Sequence, residues 1–350
     1  MQQMKKLRWG VLGAGGIADR RTMPGMLQCA NAELVAVMER DPDKASHLRD
    51  KYHARRAYTD DAQLVRDPEV DAVYIASPVY LHARQAMMAA DAGKHILLEK
   101  PLALTAREGR EVLAHCDARG VRVAAGLMMR FGACVGAMRE AVRMGKIGDV
   151  VSVSAQFTCW YPDIQGAWRQ EKSLGGGGTM MDMGIHVVDL IRFITGQEIT
   201  QLAGMHGTNT FSYEVEDSAC ALLRLANGAL CSLHANFNVP DPASDWRLSL
   251  YGTKGHLIGK NVIGQEDTGT VSALFLSEAG GYNARQDAKA PAPEILPVAF
   301  GNLYAREIER FGDAILFGTA LDVPAEEALI AQEIIEAAYR SNDTGTIVSL

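Results

Sequence analysis

Short apolar runs alternate with longer mixed stretches through the first third of the chain. "LRWGVLGAG", "AELVAVME", "DAVYIASP", "KHILLEK" and "VRVAAGLM" are rich in Val, Ile and Leu and have the length of buried strands. Most are separated by polar and apolar mixtures with helical character: "DPDKASHLRDKY", "VYLHARQAMMAADAGK" and "TAREGREVLAHCDARG". That order predicts a parallel sheet covered on both faces by helices. After about residue 125 the rhythm changes. Half-polar strands then follow one another in "DVVSVSAQFTCW", "EITQLAGMHGT", "EDSACALLRLANGALCSLHANF" and "WRLSLYGTKGHLI". Asn227-Gly228 between two alternating runs signals a hairpin, so this half is expected to form an antiparallel sheet. "LYAREIERFGDAILFG" and "AEEALIAQEIIEAAYRS" predict two C-terminal helices, and residues 280–300 read as an irregular surface connection punctuated by Gly, Pro and Ala.

The expected architecture is therefore α/β in two domains: residues 1–125 around the parallel sheet, and 126–350 as an α/β domain around the antiparallel sheet. The C-terminal helices are available to pack back on the first. With 350 residues, 48% of them hydrophobic, the chain has material for two cores. A formal net charge of -7 gives no electrostatic footprint for nucleic acid or an anionic membrane, which points to a small-molecule partner. No run approaches a membrane span and the opening residues do not read as a signal peptide, so a cytoplasmic location is expected. Cys29, Cys116, Cys134, Cys159, Cys220 and Cys231 lack a C-x-x-C pair and read as reduced packing residues.

The first strand-to-helix junction, "VLGAGGIA", fits G-x-G-x-x-G/A with Gly13, Gly15 and Ala18. Gly13 allows the tight turn, Gly15 lets backbone approach a pyrophosphate, and Ala18 permits close helix packing, with Gly16 and Ile17 completing the turn. Glu39 ends the second apolar run near the ~20-residue offset at which an acid accepts the ribose diol, which implies NAD. Arg40 beside it suits a 2′-phosphate and keeps NADP open. Glu99-Lys100-Pro101 follows the buried "HILL" run and would stand beyond the carboxyl end of a strand, where open parallel sheets bind ligands. An ammonium fixed there can hydrogen-bond a substrate oxygen and steady its developing charge.

"LGGGGTMMDMGIH", residues 174–186, sets four glycines ahead of a helical stretch carrying Asp182 and His186. Four residues apart on a helix, the two side chains share one face. The pair is open to three readings: a solvated polar face, part of a metal site, or an acid/base pair. One Asp and one His lack the further ligands of a catalytic zinc, so no metal is expected.

"GAGGIA", "EKP", "GGGGTMMDMGIHVVDL" and "LYGTKG", in this order and at these intervals, resemble the Gfo/Idh/MocA family of sugar and polyol oxidoreductases. The likeness extends to "SPVYLHARQAM", "GLMMRF", "EDSACALLRLANGAL" and the C-terminal "EEALIAQEIIEAAYRSNDTGTIVSL". It implies a Rossmann domain followed by an α/β domain with a large open, mostly antiparallel sheet that commonly forms a homodimer or homotetramer interface. It also implies hydride transfer between NAD or NADP and a carbinol or carbonyl carbon of a sugar, cyclitol or related polyol, with Lys100, Asp182 and His186 as the catalytic group. In the resemblance the glycines let the loop before the catalytic helix approach the substrate. His186 would do the acid/base work and Asp182 would orient it or bind a hydroxyl. Beyond the glycine turn, Glu39 and Arg40, the resemblance places Ser77, Pro78, His82, Glu99 and Lys100 around the cofactor, and Arg130, Tyr161, Trp168 and Arg169 at the substrate. Arg130 equally fits a structural salt bridge, His82 and Tyr80 equally fit local roles, Asp163 is a further hydroxyl partner, and Asp189 reads as structural. Two other functions remain: a dinucleotide-binding sensor without chemistry, and an enzyme that uses bound NAD for non-redox glycosidase chemistry.

Overall fold

The computed structural model describes residues 5–278, 281, 282, 284, 285, 287 and 291–350. Compactness divides the chain into two units that interleave in sequence: Met1–Met128, Gln165–Gly178 and Asn302–Glu333 in one, and Met129–Ile164, Thr179–Gly301 and Ile334–Leu350 in the other.

In the first unit, β1 (Leu7–Leu12), β2 (Ala32–Met38), β3 (Arg56–Tyr58), β4 (Ala72–Ile75), β5 (His95–Glu99) and β6 (Val123–Gly126) form one sheet in the order β3-β2-β1-β4-β5-β6. All its pairings are parallel. The continuous apolar runs are explained by burial on both faces: Val11, Val73, Tyr74, Leu97 and Leu98 have no exposed surface. The edge strand β3 is absent from the apolar-run reading because its three residues are all half-buried and carry no apolar run. Helices Pro42–Lys51, His82–Asp91 and Ala106–Ala118 fall on the three mixed stretches. The helix Leu303–Phe317 returns to this unit. Its Asn302 cap accepts the N–H groups of Tyr304 and Ala305 at 3.1 and 3.2 Å, and its Phe311 packs on Trp9 with ring centroids 5.1 Å apart. Burial of a side chain such as Phe311 or Ile308 contributes about 1.5–3 kcal/mol.

In the second unit, β7 (Val150–Thr158), β8 (Ile199–Gly207), β9 (Ser218–Leu225), β10 (Leu230–Asn236), β11 (Leu248–Gly252), β12 (Gly255–Lys260), β13 (Thr270–Phe275), β14 (Glu294–Ile295) and β15 (Val348–Ser349) form a second sheet. Its order is β14-β13-β12-β11-β7-β10-β9-β8-β15, antiparallel except for the β10–β7 pair. The Asn227-Gly228 turn joins β9 to β10, with Gly228 at φ +90°. Alternate residues Ala219, Ala221, Leu223 and Leu225 point inward and are buried, whereas Leu222 on the opposite face is 66% exposed.

Two departures from the sequence reading concern this half. An amphipathic helix, Ala133–Arg143, opens the unit and buries Cys134, Val135, Met138 and Ala141, where a succession of strands was expected. Part of the connection at 280–300 is ordered as β14, which pairs with β13. Residues 279, 280, 283, 286 and 288–290 of that connection lie outside the described residues.

Candidate active site

The turn after β1 is built by close approach. Gly13 has φ +73°, and a Cβ on it would meet the Ser77 backbone nitrogen at 2.6 Å. A side chain there is therefore excluded twice, by backbone conformation and by the end of β4. A Cβ on Gly15 would meet Glu39 Oε1 and Lys44 Nζ, each at 2.5 Å. The Gly15 N–H donates to Glu39 Oε1 at 2.8 Å, and Lys44 Nζ stands 3.3 Å from the same oxygen. Ala18 is buried and begins a π-helical turn, Ala18–Thr22.

This turn faces a cavity of about 440 Å³ whose lining includes Gly13, Gly15, Gly16, Ile17, Glu39, Arg40, Ser77 and Pro78. Eight of the expected cofactor residues are thereby brought together. Trp168 and Arg169, expected at the substrate, line the same cavity. The Arg169 guanidinium lies 4.3 Å from the centre of the Trp168 ring. Gly175 and Gly176 explain how this loop packs: a Cβ on Gly175 would meet the Arg169 Cα at 3.2 Å, and one on Gly176, at φ +81°, would meet the Leu104 carbonyl at 3.1 Å. At least these two of the four glycines thus serve backbone packing within the first unit.

Arg20, Asp61, Arg84 and Gln85 also line the cavity and were not anticipated. Gln85 links Ser77 to Asp61: the Ser77 hydroxyl donates to Gln85 Oε1 at 2.5 Å, and Gln85 Nε2 donates to Asp61 at 3.1 Å. Burial raises the Asp61 pKa, but hydrogen bonds from Arg84 and Gln85 outweigh it and hold the carboxylate below its ordinary range. The signal for these residues lay in the helix after "SPVYLH", where Arg84 and Gln85 follow one another.

Of the two readings of His82, the local one is seen. Only 1% exposed, it sits with Nδ1 2.9 Å from the Pro101 carbonyl and Nε2 2.8 Å from the Ser77 carbonyl. It ties the end of β4 to the turn after β5. Burial pushes its pKa down to about 4, so the ring is neutral at pH 7. Glu99 is likewise turned inward, accepting the Tyr74 hydroxyl at 2.5 Å, while Thr22 donates to Tyr74 at 2.9 Å. Lys100 follows in a half-buried position, joined to Pro101 by a cis peptide.

In the second unit Asp182 lies in a π-helical turn, Met180–Gly184, that runs into the α-helix Ile185–Thr195. The expected continuous α-helix thus begins with a wider turn, a feature often found at functional sites. Glu216 holds that turn. Its carboxylate accepts the Met180 N–H at 3.0 Å and the Tyr339 hydroxyl at 2.7 Å, and its carbonyl accepts the Thr179 N–H at 3.0 Å. Asp182 is half-buried, and His186 is 4% exposed with Phe157 edge-on at 6.4 Å. Of the two readings of Arg130, the salt bridge is the one seen: its Nε donates to both Asp189 oxygens at 3.0 Å, and the side chains are 7% and 1% exposed. Tyr161 packs its ring on Phe237 with centroids 5.1 Å apart, and Asp163 accepts from Ser212 N and Oγ at 3.2 and 2.8 Å. Among the described residues no group of His, Cys, Asp and Glu is arranged to hold a metal ion.

A parallel sheet in this strand order, with a glycine turn and an acid at the end of β2, defines a dinucleotide-binding protein. The turn fits that cofactor: Gly13 bends the backbone at φ +73° against Ser77, and Gly15 and Gly16 line the cavity without side chains. The model of the "Oxidoreductase family, NAD-binding Rossmann fold" matches residues 7–127, and the GFO/IDH/MocA C-terminal domain model matches 135–258. The 1,5-anhydro-D-fructose reductase of Ensifer adhaerens is 30% identical over 309 residues, 88% of either chain. The D-xylose 1-dehydrogenase (NADP(+)) 2 of Haloferax volcanii is 29% identical, over 98% of this chain and 100% of its own. Among solved structures, an aldose-aldose oxidoreductase from Caulobacter crescentus complexed with glycerol superposes with a TM-score of 0.87 at 28% identity, over 99% of this chain and 100% of that one. The chain belongs to the Gfo/Idh/MocA family of oxidoreductases. It is a nicotinamide-dependent dehydrogenase or reductase acting on CH–OH groups of sugar-like compounds.

Proposed function

We propose that Lys100, Asp182 and His186 carry the chemistry, and that Gly13–Ala18, Glu39, Ser77 and Pro78 hold the dinucleotide. The observation that carries the reading is the Gly13 turn, pressed against Ser77 and facing a cavity edged by Glu39. Bound there, the nicotinamide supplies a hydride acceptor or donor and needs no metal. His186 takes the hydroxyl proton as the carbinol is oxidised and returns it in reduction. An imidazole has an ordinary pKa near ~6.5, suited to both directions at neutral pH. Lys100 donates to the reacting oxygen, and Asp182 orients the imidazole or a neighbouring hydroxyl. Arg40 and Lys44 beside Glu39 leave NADP as a second cofactor. Purified protein mixed with sugars, inositols and keto sugars should change nicotinamide absorbance with at least one of them. Failure with every polyol and both cofactors would overturn the reading.

A homodimer or homotetramer formed through the second sheet is part of the proposal. Met205, Leu222, Leu230 and Tyr251 share the sheet face away from its core with Ser152, Arg224 and Ser232 and are 73%, 66%, 55% and 43% exposed, and this is the face through which a second copy would pair. Light scattering should give a multiple of 37.9 kDa, falling to that mass in Leu222→Glu. A cytoplasmic location is proposed too: Cys29, Cys116, Cys134 and Cys231 are buried, with thiols that burial pushes up to about 11–12, and serve as packing groups. Among the described residues no helix is long and apolar enough to cross a membrane.

A further inference from the structure

The turn that carries Asp182 in the second unit closes around one residue, Met180. Its carbonyl accepts the N–H of Ile185, five residues on, which is the bond that makes Met180–Gly184 a π-turn. Its own N–H donates to Glu216 Oε1 at 3.0 Å, and the preceding N–H, of Thr179, donates to the Glu216 carbonyl at 3.0 Å. Thr179 stands where a local cap would, but its hydroxyl is directed to the Met183 sulfur at 3.7 Å. A buried carboxylate 36 residues away takes the place of that cap.

Glu216 is held in turn by the C-terminal helix, Ala325–Thr344. The Tyr339 hydroxyl donates to the same Oε1 at 2.7 Å. Ile335, one turn earlier on that helix face, packs on the π-turn: a Cβ on Gly184 would meet Met180 Sδ at 2.6 Å and Ile335 Cδ1 at 3.5 Å. The helix itself is pressed on β8. A Cβ on Gly204 would meet the Ala338 carbonyl at 2.7 Å, and the Gly204 N–H donates to Ser341 Oγ at 3.0 Å. The His206 N–H donates to Asn342 Oδ1 at 3.1 Å, and the His206 ring stands edge-on to Tyr339 with centroids 5.1 Å apart. Tyr339 is thereby fixed to the sheet before it reaches Glu216.

What the wide turn changes is the direction of Asp182. Four residues of α-helix run about 40° past a full circle. A π-turn rotates less per residue, so Asp182 and His186 come closer to one line along the helix axis. That alignment suits a carboxylate whose task is to orient an imidazole. We propose that Glu216 and Tyr339 are positioning residues for the reaction, which together hold the π-turn that aligns Asp182 with His186. This role rests on the assignment of Asp182 and His186 above, and adds to it two residues that act through the turn.

The test uses the polyol that the wild type turns over among glucose, xylose and myo-inositol. Turnover, KM and dinucleotide affinity are measured for Glu216→Ala, Glu216→Gln and Tyr339→Phe, each alone and combined with Asp182→Ala. Displacing a reacting group by about 1 Å costs on the order of 10²-fold, and Glu216→Ala should lower kcat by about that factor. Tyr339→Phe keeps its ring against His206 and should lose about 10-fold. Glu216→Gln retains an acceptor for the Met180 N–H and should recover most of kcat. Dinucleotide affinity should stay unchanged in all three, because the glycine turn belongs to the other unit. With Asp182→Ala already present, Glu216→Ala and Tyr339→Phe should each cost only a few-fold more, since the group they position is gone. Losses that add in full overturn the role and leave the dehydrogenase reading standing. So does a kcat per folded molecule equal to that of the wild type, with only the folded fraction reduced in circular dichroism. Should Glu216→Ala not fold, Tyr339→Phe decides by the same comparison. A wild type without turnover on any polyol refutes the assignment of Asp182 and His186, and this role with it.

Discussion

A π-helical turn, Ala18–Thr22, follows the glycine turn of the first unit, and another, Met180–Gly184, leads into the helix of the second that carries His186. The two regions are built in opposite ways. The first works through backbone: Gly13 and Gly15 are defined by what would collide if a side chain were present. The second works through side chains, and the groups that hold it are themselves side chains from distant segments, Glu216 under Met180 and Arg130 against Asp189. A backbone device is specified where it stands. A side-chain device is specified by its supports, so changes in the two regions should fail differently.

The largest expected effect separates binding from chemistry. His186→Ala and Lys100→Ala should each lower turnover by on the order of 10²-fold or more, with dinucleotide affinity nearly unchanged. Gly13→Val should do the reverse of sparing the cofactor: the new side chain is driven into Ser77 at positive φ, and dinucleotide binding should be lost. Isothermal titration alongside steady-state kinetics reads both quantities. Dinucleotide binding lost in His186→Ala, or kept in Gly13→Val, would break the comparison.

How far each region could be read in advance follows from the same contrast. The buried runs of the parallel sheet and the spacing of Gly13, Gly15, Ala18 and Glu39 are local patterns, so they were legible. The role of Arg130 was not, because its partner Asp189 is 59 residues away and a guanidinium near a cleft looks alike whether it faces substrate or a carboxylate. Glu216 was invisible for the same reason, lying 36 residues beyond Met180. His82 was open to a cofactor contact or a local role, since its position along the chain suits either, and only the packing of Pro101 shows that its ring is turned inward. The helix Ala133–Arg143 has a clear amphipathic face, yet it stands among strand signals and was passed over.

The next effect is on stability and concerns two buried carboxyls. Asp217 in the second unit accepts three backbone N–H groups, the Ser218 hydroxyl and Asn238. Burial raises its pKa, and these bonds together reverse that and hold it low. Glu307 in the first unit is 3% exposed, and among the described residues neither oxygen has a hydrogen-bond partner. Burial first, and then the nearby Glu99 charge, push it well above the carboxylate range. The signs are opposite. A lowered folded pKa gives stability that is present above the unfolded value and lost as pH falls, so Asp217→Asn should be less stable than the wild type at pH 7, with a gap that closes toward pH 3. A raised folded pKa gives stability that is present below the unfolded value and lost as pH rises. Glu307→Gln, which mimics the protonated acid, should therefore gain on the wild type from about pH 5 upward, by at most about 1.4 kcal/mol per pH unit. Urea midpoints at several pH values decide it. Parallel gaps, independent of pH, would show that neither carboxyl titrates as described.

The smallest effect lies at the rim of the glycine turn, where backbone and side chain meet. Glu39 is held by the Gly15 N–H and by Lys44, and Lys44 and Arg40 flank it with positive charge. On the proposed reading a carboxylate here would accept the ribose hydroxyls of NAD and repel the 2′-phosphate of NADP, so NAD should bind more tightly. Lys44 offsets that repulsion. In Lys44→Ala the carboxylate loses its counter-charge, NADP should weaken further, and NAD should change little, since the ribose hydroxyls are neutral. The Lys44 side chain is 50% exposed, and pairs in such surroundings are worth roughly 0–1 kcal/mol, so the NAD to NADP affinity ratio should rise only a few-fold. The rise should shrink in high salt, where the screening length falls to about 3 Å at 1 M. Glu39→Gln should move the ratio the other way by removing the charge that repels the phosphate. Fluorescence titration of the three proteins with both dinucleotides at low and high salt gives the ratios. A ratio unmoved in Lys44→Ala but shifted in Arg40→Ala would assign the discrimination to Arg40 alone and leave Lys44 as a prop for the turn.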